Sequence, residues 1–135
     1  MNKCKRTTVW AFAATENHRG EWYALHTARN GNEGECANIV GNCGCIHAER
    51  NLLEGMTEEQ MDKTTMVIVT YSPCFNCAWS LWSWLENLEK VYYMNEYRKT
   101  NGKDFLRSKG IEVIKAKMNG NTLEYEVEET VSDAR

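Results

Sequence analysis

The 135-residue sequence is poor in several features that would each point to a particular class of protein. It holds a single proline, and neither a linker nor an internal repeat divides it. Its length suits one compact domain with a genuine core, so one domain over residues 1–135 is expected, its tail fraying from about residue 128. No apolar stretch is long enough to span a bilayer, and the first residues run straight into a strand-like segment without a signal peptide's small-residue cleavage site. A membrane partner is therefore not expected, and the cytoplasm is the expected compartment. Charge of one sign is also scarce: the net charge is −3 and no run of like charges forms a tail. A protein that grips a long nucleic acid needs a basic patch. Lys3, Lys5 and Arg6 make only a small basic start, so nucleic acid is not expected as partner, whereas a small anionic ligand needs just one or two cations.

What is present is the balance of a globular protein, 42% hydrophobic and 26% charged. Five tryptophans call for a core or an interface. In a reducing compartment the six cysteines read as ligands or buried thiols rather than as three disulfides.

Residues 7–14 are rich in β-branched and aromatic side chains and read as a strand, paired through a turn at 17–20 with a second strand at 21–28. Residues 30–44 hold four glycines and read as a loop. A helix over 45–54 ends at Gly55, taken as a stop just past its last turn. Residues 64–71 form an unbroken apolar strand of the kind covered on both faces. Pro73 suits the first turn of a helix running to about residue 87. Strands at 90–94 and 111–115 flank a helix at 103–108 closed by Gly110, and 122–127 is strand-like. This alternation predicts an α/β fold, a three-layer α/β/α sandwich with a mixed central sheet of about five strands.

Two segments carry chemistry: Cys45-Ile46-His47-Ala48-Glu49-Arg50 and Ser72-Pro73-Cys74-Phe75-Asn76-Cys77. A Cys-x-x-Cys alone can be half a structural zinc site, a redox pair or chance. A lone His-x-Glu says less. Together they offer two thiolates and one imidazole, three ligands for a metal that takes four. A catalytic zinc keeps the fourth position for water, whose pKa it lowers to about 7. Displacing an amino group from a ring then requires a proton shuttle, and Glu49, two residues from His47, is placed to serve without ligating. Cys74 and Cys77 fall in a first helical turn, where free N–H groups and the positive dipole end favour thiolates.

His47-Ala48-Glu49 followed by Pro73-Cys74-x-x-Cys77 resembles the described signature of the cytidine deaminase superfamily, so this step is a match to a known pattern. Within it the chain is most similar to deoxycytidylate (dCMP) deaminases. Asn30-Gly31 resembles that family's substrate loop, and Val91-Tyr92-Tyr93, Tyr97-Arg98 and Gly110-Ile111-Glu112-Val113 resemble its later strand, tyrosine and strand pattern. The chain departs from the family in beginning almost at its first strand, where the family has a helix. The resemblance implies one catalytic Zn²⁺ on His47, Cys74 and Cys77, with Glu49 as proton shuttle. It further implies that Asn30, Ala48 and Tyr97 contact the nucleotide, with Arg98 a candidate for its phosphate. The implied reaction is hydrolysis of dCMP to dUMP and ammonia. Its rivals are an adenosine or cytidine deaminase acting on tRNA or single-stranded DNA, and a non-catalytic zinc module, in which Glu49 would have no use.

Cys4, Cys36, Cys43 and Cys45, with His26, offer donors for a second, structural zinc. Their spacing matches no standard finger and buried free thiols are common, so that reading is set aside. His18 reads as a solvated turn residue. Trp79, Trp82 and Trp84 share a helix with Leu81, Leu85 and Leu88, a band wide enough for either core or a homo-oligomer contact.

Overall fold

The computed structural model describes residues 2–3, 9–17, 19, 21–32, 47–96, 100–119 and 122–125. The elements in order are β1 (Asn2–Lys3), β2 (Trp10–Glu16), β3 (Trp22–Arg29), β4 (Gly31–Asn32), α1 (Ala48–Gly55), α2 (Glu58–Lys63), β5 (Met66–Tyr71), α3 (Phe75–Trp84), β6 (Lys90–Asn95), α4 (Asn101–Ser108), β7 (Glu112–Asn119) and β8 (Thr122–Tyr125). Six strands form one mixed sheet in the order β3-β2-β5-β6-β7-β8, and β1 pairs with β4 apart from it. β2 runs antiparallel to both β3 and β5, whereas β5, β6 and β7 are parallel to one another. The antiparallel β8, within the strand-like run at 122–127, stands at the edge beside β7 as the sixth strand.

The expected α/β architecture is thus observed, and burial shows why. Met66, Val67, Ile68 and Val69 are all at most 2% exposed, so β5 is covered on both faces. Alternation along the strands then splits the core in two. Val67, Val69, Val91, Tyr93 and Val113 point to the face that α1, α3 and α4 cover with Leu52, Leu53, Ala78, Leu81 and Leu106. Met66, Ile68, Tyr92 and Ala116 make a second cluster on the opposite face, with Phe12, Trp22, Met94 and Ile114 packed against it.

Two local expectations are corrected, and one helix is added. Gly55 is the last residue of α1 rather than a stop beyond it; the capping residue Met56 is extended, and Gly110 alone among the described glycines has positive φ, at 85°. Gly55 instead permits a close approach, since a Cβ there would lie 2.8 Å from His26 Nε2. The helix after Pro73 ends at Trp84, not near residue 87, because leaving the helix at Leu85 (φ −111°, ψ 87°) sends both Leu85 and Leu88 into the core. Helix α2 went unread, although its capping box was visible in Thr57 and Gln60: Thr57 Oγ1 accepts from the Gln60 N–H, and Gln60 Oε1 from the Thr57 N–H. Among the described residues no helix is long and apolar enough to cross a membrane.

Candidate metal and catalytic site

β5 ends at Tyr71, and the chain turns through the buried Ser72 and Pro73 into α3. The turn is fastened to the neighbouring parallel strand, Ser72 N–H donating to the Asn95 carbonyl at 3.0 Å. The site therefore forms at the carboxyl end of the parallel strands, where open α/β sheets place their ligands. Cys74 is the N-cap of α3 and Cys77 lies in its first turn, so 3.6-residue periodicity sets both sulfurs on one side of the helix start. His47 is likewise the N-cap of α1, with extended φ −65° and ψ 152°, and its side chain does not cap the helix. Serine, threonine or aspartate at such a position stabilises a helix by about 1 kcal/mol. Here that contribution is given up, and the imidazole turns to the sulfurs.

His47 Nδ1 lies 3.3 Å from Cys77 Sγ and 3.6 Å from Cys74 Sγ. All three donor atoms sit within 4.8 Å of one another. Bond lengths of about 2.0 Å to nitrogen and 2.3 Å to sulfur in a tetrahedron require nitrogen–sulfur separations of roughly 3.6 Å. The donor set and its spacing thus fit zinc. The thiols are tuned unequally. Cys74 is brought down to about 4, chiefly by the hydrogen bond from Cys77, helped by His47 and the Cys77 backbone N–H. Cys77 is pushed above the usual thiol range because it shares its proton with the Cys74 sulfur and is buried. His47 is raised, first through its hydrogen bond with Cys74.

Glu49 follows in the first turn of α1 and is 4% exposed. Its carboxyl is lifted to about 7, chiefly by burial with the Cys74 charge adding to it, against the lowering effect of its own backbone N–H and of His47. A carboxyl poised near neutrality beside three metal donors can both take and give a proton.

Ala48, between His47 and Glu49, is fully buried against the sheet. Asn30 is buried at the end of β3; its Oδ1 accepts from the Val9 N–H at 2.9 Å, and its own N–H donates to the Val9 carbonyl. Asn51, unremarked in the sequence, joins this corner to the site. From α1 it donates through Nδ2 to the Arg29 carbonyl at 2.9 Å, so the helix carrying His47 and Glu49 is tied to the residue before Asn30. Nothing local in the sequence signals this role, because the Arg29 carbonyl is 22 residues away along the chain. Tyr97, Arg98, His18, Cys4, Cys36, Cys43 and Cys45 lie outside the described residues. His26 is half-buried on β3, against Gly55.

Family comparison decides the class of chemistry. Residues 1–95 match the model of the cytidine and deoxycytidylate deaminase zinc-binding region. The chain belongs to this family. A dCMP deaminase from the cyanophage S-TIM5, in complex with dCMP and dUMP, is 33% identical over 83% of this chain and 83% of its own, with a TM-score of 0.61. The same enzyme in apo form gives 30% identity over 84% of both chains and a TM-score of 0.58. An Aspergillus oryzae Rib2 deaminase, 14% identical over 78% of this chain and 68% of its own, shares the fold at a TM-score of 0.50. No curated protein gives a significant match. As a member of the family the chain is a zinc-dependent nucleotide deaminase.

Exposure separates the apolar residues of α3. Leu81 is fully buried, whereas Phe75, Trp79, Trp82 and Trp84 are between 37% and 49% exposed. The core reading holds for the leucines and fails for the tryptophans. Trp82 meets Phe105 edge-on at 5.7 Å and lies under Lys109 Nζ at 4.7 Å, while Arg50 stands 5.9 Å over Trp84.

Proposed function

We propose that this single-domain chain hydrolyses dCMP to dUMP and ammonia, with one zinc held by His47, Cys74 and Cys77. The observation that carries the reading is the buried Glu49 carboxyl, lifted to about 7, beside three donors spaced for zinc. Bound there, zinc supplies a water activated near neutral pH. Glu49 does the proton work around it. It takes a proton as the water oxygen adds to C4 of cytosine and delivers one to N3. As the C4–N4 bond breaks, a proton passes through the same carboxyl to the departing amine, which leaves as ammonia. Such acid–base help is worth roughly 10²–10⁴-fold in rate. Asn30, Ala48 and Tyr97 are assigned to the nucleotide. The 33% identity to an enzyme crystallised with dCMP and dUMP supports the choice of substrate.

The exposed aromatic face of α3 supports a homo-oligomer, since tryptophan surface of this extent is costly to leave in water. The substrate is tested by ammonia release from cytosine and adenine nucleosides, nucleotides, tRNA and single-stranded DNA. dCMP is expected to be turned over with the highest kcat/KM. Preference for a polynucleotide, or for an adenine compound, would refute the assignment.

A further inference from the structure

Gly102, the second residue of α4, is buried. A Cβ built on it would lie 2.1 Å from the Pro73 carbonyl oxygen, 2.8 Å from the Cys74 carbonyl carbon and 2.9 Å from the Cys74 oxygen. All three atoms are backbone, so no rotamer change relieves the overlap. Its φ is not in the left-handed region, so the backbone conformation does not demand glycine, and helix propensity alone favours alanine there. What demands glycine is the closeness of α4 to the peptide that carries Cys74.

The same helical turn is fixed on its other side. Lys103 is 5% exposed, an unusual place for an ammonium. It pairs with Glu96, just past β6, and stands 4.8 Å over the Tyr93 ring, while Tyr93 donates its hydroxyl proton to Glu96 at 3.2 Å. One turn on, Phe105 meets Phe75 edge-to-face at 5.2 Å, and Phe75 follows Cys74 directly.

We propose that the first turn of α4 is a strut that sets the position of Cys74, with Gly102 and Lys103 as positioning residues for the metal site. This rests on the reading of His47, Cys74 and Cys77 as ligands. Gly102 lets the helix backbone lie on the Pro73–Cys74 peptide, and Lys103 locks that turn to the end of β6. Residues that orient a metal's ligands typically change metal affinity 10–100-fold when altered.

The test compares Gly102→Ala with wild type and with Gly110→Ala. Gly110 has φ 85° and nothing within 4 Å of a Cβ, so alanine there strains the far end of the same helix without touching Cys74. Zinc affinity is measured by chelator competition, and ligand geometry by the visible absorption of the cobalt-substituted protein. Gly102→Ala is expected to bind zinc at least tenfold more weakly and to shift the cobalt bands. Gly110→Ala is expected to lower the melting temperature with both readouts unchanged. Wild-type affinity and cobalt bands in Gly102→Ala, or equal changes in Gly110→Ala, would overturn the strut. A wild-type protein that binds neither metal would instead overturn the ligand set. If Gly102→Ala does not fold, Lys103→Met decides: weakened zinc binding is expected, and wild-type affinity refutes the proposal.

Discussion

Replacing Glu49 by glutamine keeps the size and shape of a side chain that is 4% exposed and removes only its ability to ionise. Two consequences of opposite sign follow. Turnover should fall by roughly 10²–10⁴-fold, or about 3–5 kcal/mol of transition-state stabilisation, because the amide can neither take nor give the proton. Stability of the zinc-free protein should rise. The carboxyl titrates at about 7 in the fold against an ordinary 4.5, so the folded state holds a proton that the unfolded chain has released. Stability from this group is therefore fully present below pH 4.5 and is lost as pH rises through about 7. The loss comes to about 3 kcal/mol at 1.36 kcal/mol per pKa unit. Glutamine avoids it. Zinc-free Glu49→Gln should match wild type near pH 4 and exceed it by about that amount at pH 8. Because the Cys74 charge itself raises Glu49, the two groups titrate together, and the difference between the variants includes that coupling. Urea unfolding across pH 4–8, ammonia release and zinc content by atomic absorption supply the data. Retained turnover, zinc lost along with turnover, or a stability difference that is flat with pH would each refute the role assigned to Glu49.

Cys77→Ser should abolish both bound zinc and turnover, and chelation of the wild-type protein should stop ammonia release until zinc is returned; activity surviving either treatment contradicts a zinc mechanism. Thr57→Ala, which breaks the capping box of α2, should cost about 1 kcal/mol in urea unfolding and leave kcat/KM unchanged, because α2 contributes no residue to the site. Leu52→Ala, at a side chain with no exposure, should cost 2–5 kcal/mol by the same measurement. Trp79→Glu, at a residue 49% exposed, should dissociate the proposed homo-oligomer into folded monomers seen by sedimentation velocity. An unchanged mass would remove the α3 face from the interface.

Sequence alone supplied the candidate ligand set and the candidate proton carrier. Donor chemistry is local: a histidine, a glutamate two residues on, and a Pro-Cys-x-x-Cys at a helix start need no distant partner to be recognised. Strand β5 was equally legible, because a run of apolar β-branched residues has one economical place, inside a sheet covered on both faces. Tertiary packing decided the rest. The end of α3 was set by the core's demand for Leu85 and Leu88, with no local stop signal in the chain. The tryptophans went outward although their spacing allowed either face. Gly102 fell just before the helix expected at 103–108, and its use shows only once α4 lies against the Pro73–Cys74 peptide. Asn51 is an ordinary helix residue until it meets the Arg29 carbonyl. Spacing along a chain states which atoms can be offered to a metal, but the distances among them, and the burial that brings Glu49 to neutrality, exist only once separate helices close on one point.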